Sequence, residues 1–295
     1  MRFLYLVLSL ALLFFVSSAD ELGQRQLRRG SAPSADIPKI DKVGLFVEGF
    51  TAESIKRTKT IISVGLEGAE ILELLLSDLQ SGQLDDVKLF AAPSDPAPGA
   101  SHIVGQGMAI LAGFVEKGSL LFSQMSSSSI LCEEFIYNGE TTTNSPFIYE
   151  GQCIGPLTET GPFHKDSRAA TIKISGREET NNVFVYGGFY FKEASQKENC
   201  IVLATITPNP DSEVTIEFNE SADPEAVIVA CKHGNGAAIL SGVYIDQNKS
   251  FIGALLDEIQ ESEHLRNVHD ALSEMPIYKS SIYGFLLGLI LMANK

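Results

Sequence analysis

Gly118-Ser119-Leu120-Leu121-Phe122-Ser123-Gln124-Met125-Ser126-Ser127-Ser128-Ser129 is the stretch on which the reading of this chain turns. Leu120 to Gln124 is a short apolar run of the length of a buried strand. A turn of small residues follows, and then a helix start. In α/β hydrolytic folds this sharp strand-to-helix bend carries the nucleophile. A cysteine or serine is expected at the tip, and this chain has Met125 there. A thioether has no proton to lose and cannot attack a carbonyl.

The elements before the bend support a parallel sheet. Val43-Gly44-Leu45-Phe46-Val47 reads as a buried strand that ends at Glu48-Gly49. Thr51 or Ser54 can cap a following helix. The apolar spacing of Ile71, Leu72, Leu74, Leu75 and Leu79 carries that helix to about Leu79. Asp86 to Ala92 is a second strand, and Pro93 to Gly99 is a breaker-rich loop. Gly105 to Lys117 is a helix with Met108, Leu111, Ala112 and Val115 on one face, ended by Gly118. Strand, helix, strand, helix, strand predicts crossover helices on a parallel sheet.

The second half reads differently. Short β-branched runs at 171–174, 182–186, 201–206, 226–231 and 237–240 are separated by Gly, Asn and Pro turns. Gly234-Asn235-Gly236 predicts a hairpin between the last two. Antiparallel pairing of 201–206 with 226–231 brings Cys200 near Cys231. Cys132 and Cys153 are then the remaining pair, with Cys132 expected inside the helix after the bend. The C-terminus returns to helix over about 250–273. The apolar run Ile282 to Met292 is too short to span a bilayer, which takes about 20 residues. It reads as an element packed on the body rather than a membrane or GPI anchor.

The N-terminus predicts export. Arg2, the apolar run Leu4 to Val16 and Ser17-Ser18-Ala19 describe a signal peptide cleaved after Ala19. Residues 20–40 read as a disordered leader. Within it, Arg25-Gln26-Leu27-Arg28 resembles the host-targeting RxLR motif of secreted oomycete effectors. A basic processing site or a solvated linker is the reading preferred over it. Four cysteines in an exported chain suit up to two disulfides. Asn219 and Asn248 begin glycosylation sequons. The formal net charge of −15 argues against nucleic acid and anionic membrane surfaces as partners. No cysteine pair has the spacing of a zinc or redox site, and His164 and His233 read as surface histidines. Gly105-Gln106-Gly107 lacks the third glycine and preceding strand of a dinucleotide fingerprint. No metal and no cofactor is expected.

From Lys42 to Asp246 the chain resembles the biotin-protein ligase N-terminal domain family, a branch of the class I glutamine amidotransferase-like fold. Three segments carry this: Gly105-Gln106-Gly107 with the helix to Gly118-Ser119; the bend through Cys132; and Ala226 to Gly242, a strand, a turn, a second strand and Ser-Gly. Asn182 to Tyr190 also fits the family's Tyr- and Gly-rich segment. The resemblance implies an α/β fold of flavodoxin-like type: a largely parallel sheet flanked by helices, with an antiparallel extension in the second half. It implies a domain over 41–248 and a C-terminal helical extension over 249–295.

In the family's enzymatic relatives a cysteine at the bend is served by a histidine and a glutamate. Those positions fall on Met125, Tyr244 and Asp246. A phenol titrating near 10 is a poor base at neutral pH. The oxyanion loop falls on Pro93-Ser94-Asp95, where a carboxylate opposes an oxyanion. The resemblance therefore implies a chain without catalysis, which binds a small molecule or a protein in a cleft of Ser94, Asp95, Gln124, Met125, Ser126, Tyr244 and Asp246. A secreted hydrolase or amidotransferase using a serine of 123–129 is the alternative, and a host-targeted effector a further one. No biotinyl-adenylate loop is found, nor length for a ligase domain, so the resemblance does not imply biotin transfer.

Overall fold

The computed structural model describes residues 40–82, 84, 86–157, 167–175, 180–207, 225–245, 247, 252–253, 256 and 263–272. The expected signal peptide and leader, the sequons at Asn219 and Asn248, His164, Asp246 and the run Ile282 to Met292 lie outside these residues.

Five parallel strands form the centre of one sheet. They are β1 (Lys42–Phe46), β2 (Glu70–Leu74), β3 (Leu89–Ala92), β4 (Leu120–Gln124) and β13 (Gly236–Ser241), in the order β2-β1-β3-β4-β13. Helix α1 (Ala52–Gly65) follows β1, and α3 (Ser101–Lys117) joins β3 to β4. Both faces of β1, β3, β4 and β13 are covered, so their sequences are largely continuous apolar runs rather than alternating ones. On one face Val43, Leu45, Leu89, Ala91, Phe122 and Ile239 pack with Ile61 and Ile62 of α1. On the other, Phe46, Phe90, Leu121 and Leu240 pack with Val104, Met108, Leu111 and Val115 of α3. Gly107 of α3 sits directly on Phe46, and a Cβ there would lie 2.1 Å from the ring.

The second half adds antiparallel strands, as its turn spacing predicts. β12 (Glu225–His233) pairs with β13 through a turn at Gly234-Asn235, and with β11 (Cys200–Thr207) on another side. β11 pairs β8 (Arg168–Ile174), which pairs β9 (Thr180–Val185). β12 also meets β10 (Tyr190–Phe191), which pairs antiparallel with β7 (Tyr149–Gly155); β7 pairs in parallel with β5 (Cys132–Tyr137), and β5 antiparallel with β6 (Glu140–Thr143). Cys200 lies opposite Cys231 in the β11–β12 register, and the two form a disulfide. Cys132 and Cys153 form the second. At the start of β12, burial pushes the Glu225 carboxyl up to about 7, while a hydrogen bond from Tyr190 pulls it the other way.

Two sequence expectations give way. The helix from Thr51 ends at Gly65, capped by the Leu66 amide on the Ile62 carbonyl. The apolar residues beyond it belong to β2 and to α2 (Leu76–Ser81). β2 reads poorly because it stands at the edge of the sheet and only Leu74 is buried. Pairing with β1 overrides a helical spacing. Cys132 is in a strand, not a helix. The helix after the bend is α4 (Ser126–Ser129), four serines with weak helix propensity. Asn144 Nδ2 donates to the carbonyls of Ser129 and Cys132 and holds the chain in its turn toward β5.

Among the described residues no helix is long and apolar enough to cross a membrane. None of them forms a group of three or more His, Cys, Asp or Glu placed to hold a metal ion.

Candidate functional site

The site forms where β3, β4 and β13 end side by side. In open α/β sheets this carboxyl edge is where ligands bind. Met125 stands at the tip of the β4–α4 bend with φ 52° and ψ −124°. Its positive φ is unfavourable for a residue with a Cβ, and this ψ lies far from the left-handed helical well near +47°. Such a conformation costs about 1–3 kcal/mol and persists where its surroundings enforce it. The enforcement is visible. The Met125 amide donates to the Ser241 carbonyl at 2.7 Å, and the Ser129 amide closes back on the Met125 carbonyl at 2.9 Å. Ser128 Oγ accepts from the Ser241 amide at 3.1 Å and lies 2.9 Å from Ser123 Oγ. Ser127 Oγ donates to the Pro93 carbonyl. The bend is thus pinned to both neighbouring strand ends.

The Met125 side chain is buried. It shares an apolar cluster with Phe184 of β9, Tyr244, Ile252, and Val268 and Leu272 at α5 (Glu263–Ala271). The adjacent Gln124 is fully buried, and its Oε1 accepts from the Ile245 amide at 3.3 Å. Among the described residues its Nε2 has no partner. Ser126, one residue past the tip, is exposed.

The loop after β3 is turned away from the bend. The amides of Ser94 and Asp95 both donate to Ser54 Oγ of α1, at 2.9 and 3.0 Å. Two converging amides of this kind would suit an oxyanion, and here a hydroxyl of the chain fills the position. Since Ser54 Oγ accepts twice, its own proton goes to Ser94 Oγ at 3.0 Å, and Ser94 passes its proton to Asp95 Oδ2 at 3.1 Å. Arg57 of α1 is buried and donates to the same Oδ2. Tyr244 donates its hydroxyl to Asp95 Oδ1 at 2.9 Å. The Asp95 carboxylate is therefore an acceptor saturated from three sides.

The segment after β13 is set by a close approach. The Gly242 amide donates to the Val227 carbonyl and its own carbonyl accepts from Phe189. A Cβ on Gly242 would meet the Phe189 oxygen at 2.0 Å. Ser241 Oγ donates to the Val243 carbonyl, which folds Tyr244 back over the strand end.

Of the residues singled out from the sequence, Ser94, Asp95, Gln124, Met125, Ser126 and Tyr244 surround this strand edge. His233 ends β12 and is half-buried. Sequence reasoning missed Ser54 and Arg57, which engage the β3 loop. It also missed Phe184, Ile252, Val268 and Leu272, which pack around the tip. Arg57 carries a readable signal: a cation on a helix beside Thr58, Ile61 and Ile62, where burial demands a partner.

Three solved structures illustrate the shape. A glutamine amidotransferase from Thermotoga maritima is 11% identical, with 87% of this chain and 99% of that one covered and a TM-score of 0.44. A putative ThuA-like protein from Parabacteroides merdae is 8% identical, with coverage of 69% and 79% and a TM-score of 0.37. The GH42 β-galactosidase Gan42B is 12% identical with a TM-score of 0.36, and 73% of this chain spans 29% of its length. No curated protein matches the chain. The family described as biotin-protein ligase, N terminal, matches residues 140–288, half of the sequence, from the hairpin strand β6 through β13 and α5. The chain belongs to the biotin-protein ligase N-terminal domain family.

Proposed function

We propose that this chain is a secreted, non-catalytic member of the family, which binds a small molecule or a protein at the strand edge around Met125, Ser94, Asp95, Gln124, Ser126 and Tyr244. One observation carries the reading: the tip of the bend, where an attacking group belongs, holds a thioether packed among apolar side chains. The remaining groups agree with it. The amides that could stabilise an oxyanion are engaged by Ser54, and Tyr244 spends its proton on Asp95. The strained backbone persists without a nucleophile to present, which suits a bend kept for its shape. Export is supported by the signal-like N-terminus and by all four cysteines being paired, a state favoured outside the cytosol.

The test uses the full chain expressed through a secretory pathway. The released protein should begin at Asp20 and carry both disulfides. Incubation with a fluorophosphonate should leave Ser123, Ser126, Ser127, Ser128 and Ser129 unlabelled, as read by peptide mass. A covalent adduct on any of them would establish a serine enzyme and end the non-catalytic reading. A cytosolic, unprocessed product would end the secreted one.

A further inference from the structure

Helix α5 has the spacing of a helix laid on an apolar surface. Leu265, Val268 and Leu272 are buried, while Glu263, Arg266, Asn267, Asp270 and Ala271 face solvent. Val268 and Leu272 enter the same cluster as Met125 and Tyr244, together with Ile252. The ends of α5 are tied to the antiparallel strands. His264 Nε2 lies 2.6 Å from the Ser167 carbonyl before β8, and Asn182 Nδ2 of β9 donates to the Ala271 carbonyl at 2.7 Å.

Two adjacent residues at the bend, Gln124 and the α5-packed Met125, have features unusual for a plain core. Met125 holds a strained backbone conformation, and among the described residues the buried Gln124 Nε2 has no acceptor. A packed interior normally relieves both.

We infer that α5 with Ile252 is a built-in cap on the bend: closed, it fills the cleft with the chain's own side chains; lifted, it exposes a site for a small molecule that presents an apolar ring to Met125, Phe184 and Tyr244 and a hydrogen-bond acceptor to Gln124 Nε2. This rests on the reading of the strand edge as a binding site and adds what controls it and what it takes. Local opening of an amphipathic helix requires only that its own contacts break, and the sheet below stays paired.

The test introduces Val268→Asp into the full chain. Two readouts follow: oxidation of methionines by hydrogen peroxide, and fluorescence of anilinonaphthalene sulfonate, an aromatic ring with acceptor oxygens. In the oxidation the thioether sulfur takes one peroxide oxygen, becoming a sulfoxide, and water leaves. The variant should oxidise Met125 at least fivefold faster than the parent, while Met108, buried under α3, keeps its protection. The probe should bind the variant and not the parent, and adding Gln124→Leu should weaken that binding at least fivefold. Unchanged Met125 protection in a folded variant overturns the cap, and an affinity indifferent to Gln124 overturns the ligand chemistry. If the variant does not fold, hydrogen exchange of the parent decides. Amides of α5 should exchange at least tenfold faster than those of β4 and β13, and equal rates overturn the cap. A fluorophosphonate adduct on Ser126 would instead defeat the non-catalytic reading, with Met125 protection unaltered.

Discussion

Tyr244 donates its hydroxyl to Asp95 Oδ1 at 2.9 Å across 149 residues of sequence. The bond ties the segment after the last central strand to the loop after the third. Arg57 closes the other side of the same carboxylate, with Glu53 at 3.9 Å on the Arg57 guanidinium. A buried guanidinium that loses its anion is left with an unpaid desolvation cost.

Removing one donor to Asp95 and removing the carboxylate itself should therefore have unequal consequences. Tyr244→Phe loses one hydrogen bond to a charged acceptor and keeps the ring in its cluster, at a cost of about 1–2 kcal/mol. Asp95→Ala takes away the carboxylate that Arg57 Nη2 donates to in a buried setting, at a cost of about 3 kcal/mol. Urea denaturation of the two variants checks the order. Equal midpoints would mean that the Arg57 pair adds nothing to the contribution of the phenol bond.

Backbone strain at the tip gives an inverted expectation for two small replacements. On side-chain burial alone, Met125→Ala should be more stable than Met125→Gly. At φ 52° and ψ −124° the alanine Cβ retains the steric conflict and glycine does not. Met125→Gly should therefore be the more stable of the pair by about 1 kcal/mol. Thermal unfolding of both variants reads the difference.

Two glycines of α3 should respond in opposite directions. A Cβ at Gly107 would lie 2.1 Å from Phe46 Cε1, whereas Gly113 has open space around it. Gly107→Ala should cost about 1–3 kcal/mol through overpacking. Gly113→Ala should gain about 0.5–1 kcal/mol, because glycine in a helix interior carries an entropic penalty. Denaturant midpoints of opposite sign relative to the parent are the expected result.

Glu225 sets a pH dependence. Its carboxyl titrates near 7 in the folded chain against 4.5 when free, so the fold favours its protonated form. That contribution is whole below about pH 4.5 and is lost as pH rises through about 7. Glu225→Gln keeps a neutral side chain at every pH. Its melting temperature relative to the parent should rise between pH 5 and pH 8. A flat difference across that range would place the carboxyl in ordinary solvent.

The parallel centre was legible because its strands are buried on both faces. Val43 to Val47 and Leu120 to Gln124 cannot satisfy so many apolar side chains elsewhere. The bend at Met125 was legible for a related reason: a buried strand that stops at a run of serines must turn. The hairpin at Gly234-Asn235 and the pairing of Cys200 with Cys231 followed from turn chemistry and strand length. β2 was hidden, since Glu70, Ile71 and Leu72 face solvent in part and an edge strand leaves little pattern. β5, β6 and β7 were hidden for the same reason: their side chains are mostly half-buried or exposed.

The site was half legible. Ser94, Asp95, Gln124, Met125 and Tyr244 stand at or just past the central strand ends, where the order of elements puts them. Ser54 and Arg57 were not legible, since the direction in which a loop turns its amides is a matter of tertiary contact. The residues of β9 and α5 that pack around the tip depend on long-range docking, which no local pattern records.

β12 holds a position in the sheet that no other described strand shares, with β13, β11 and β10 all bonded to it. The parallel and antiparallel halves of the molecule thus meet in a single nine-residue seam. Neither half can melt away from that seam without stripping the other of a neighbour, so heat should dissolve the two architectures together, in one calorimetric transition.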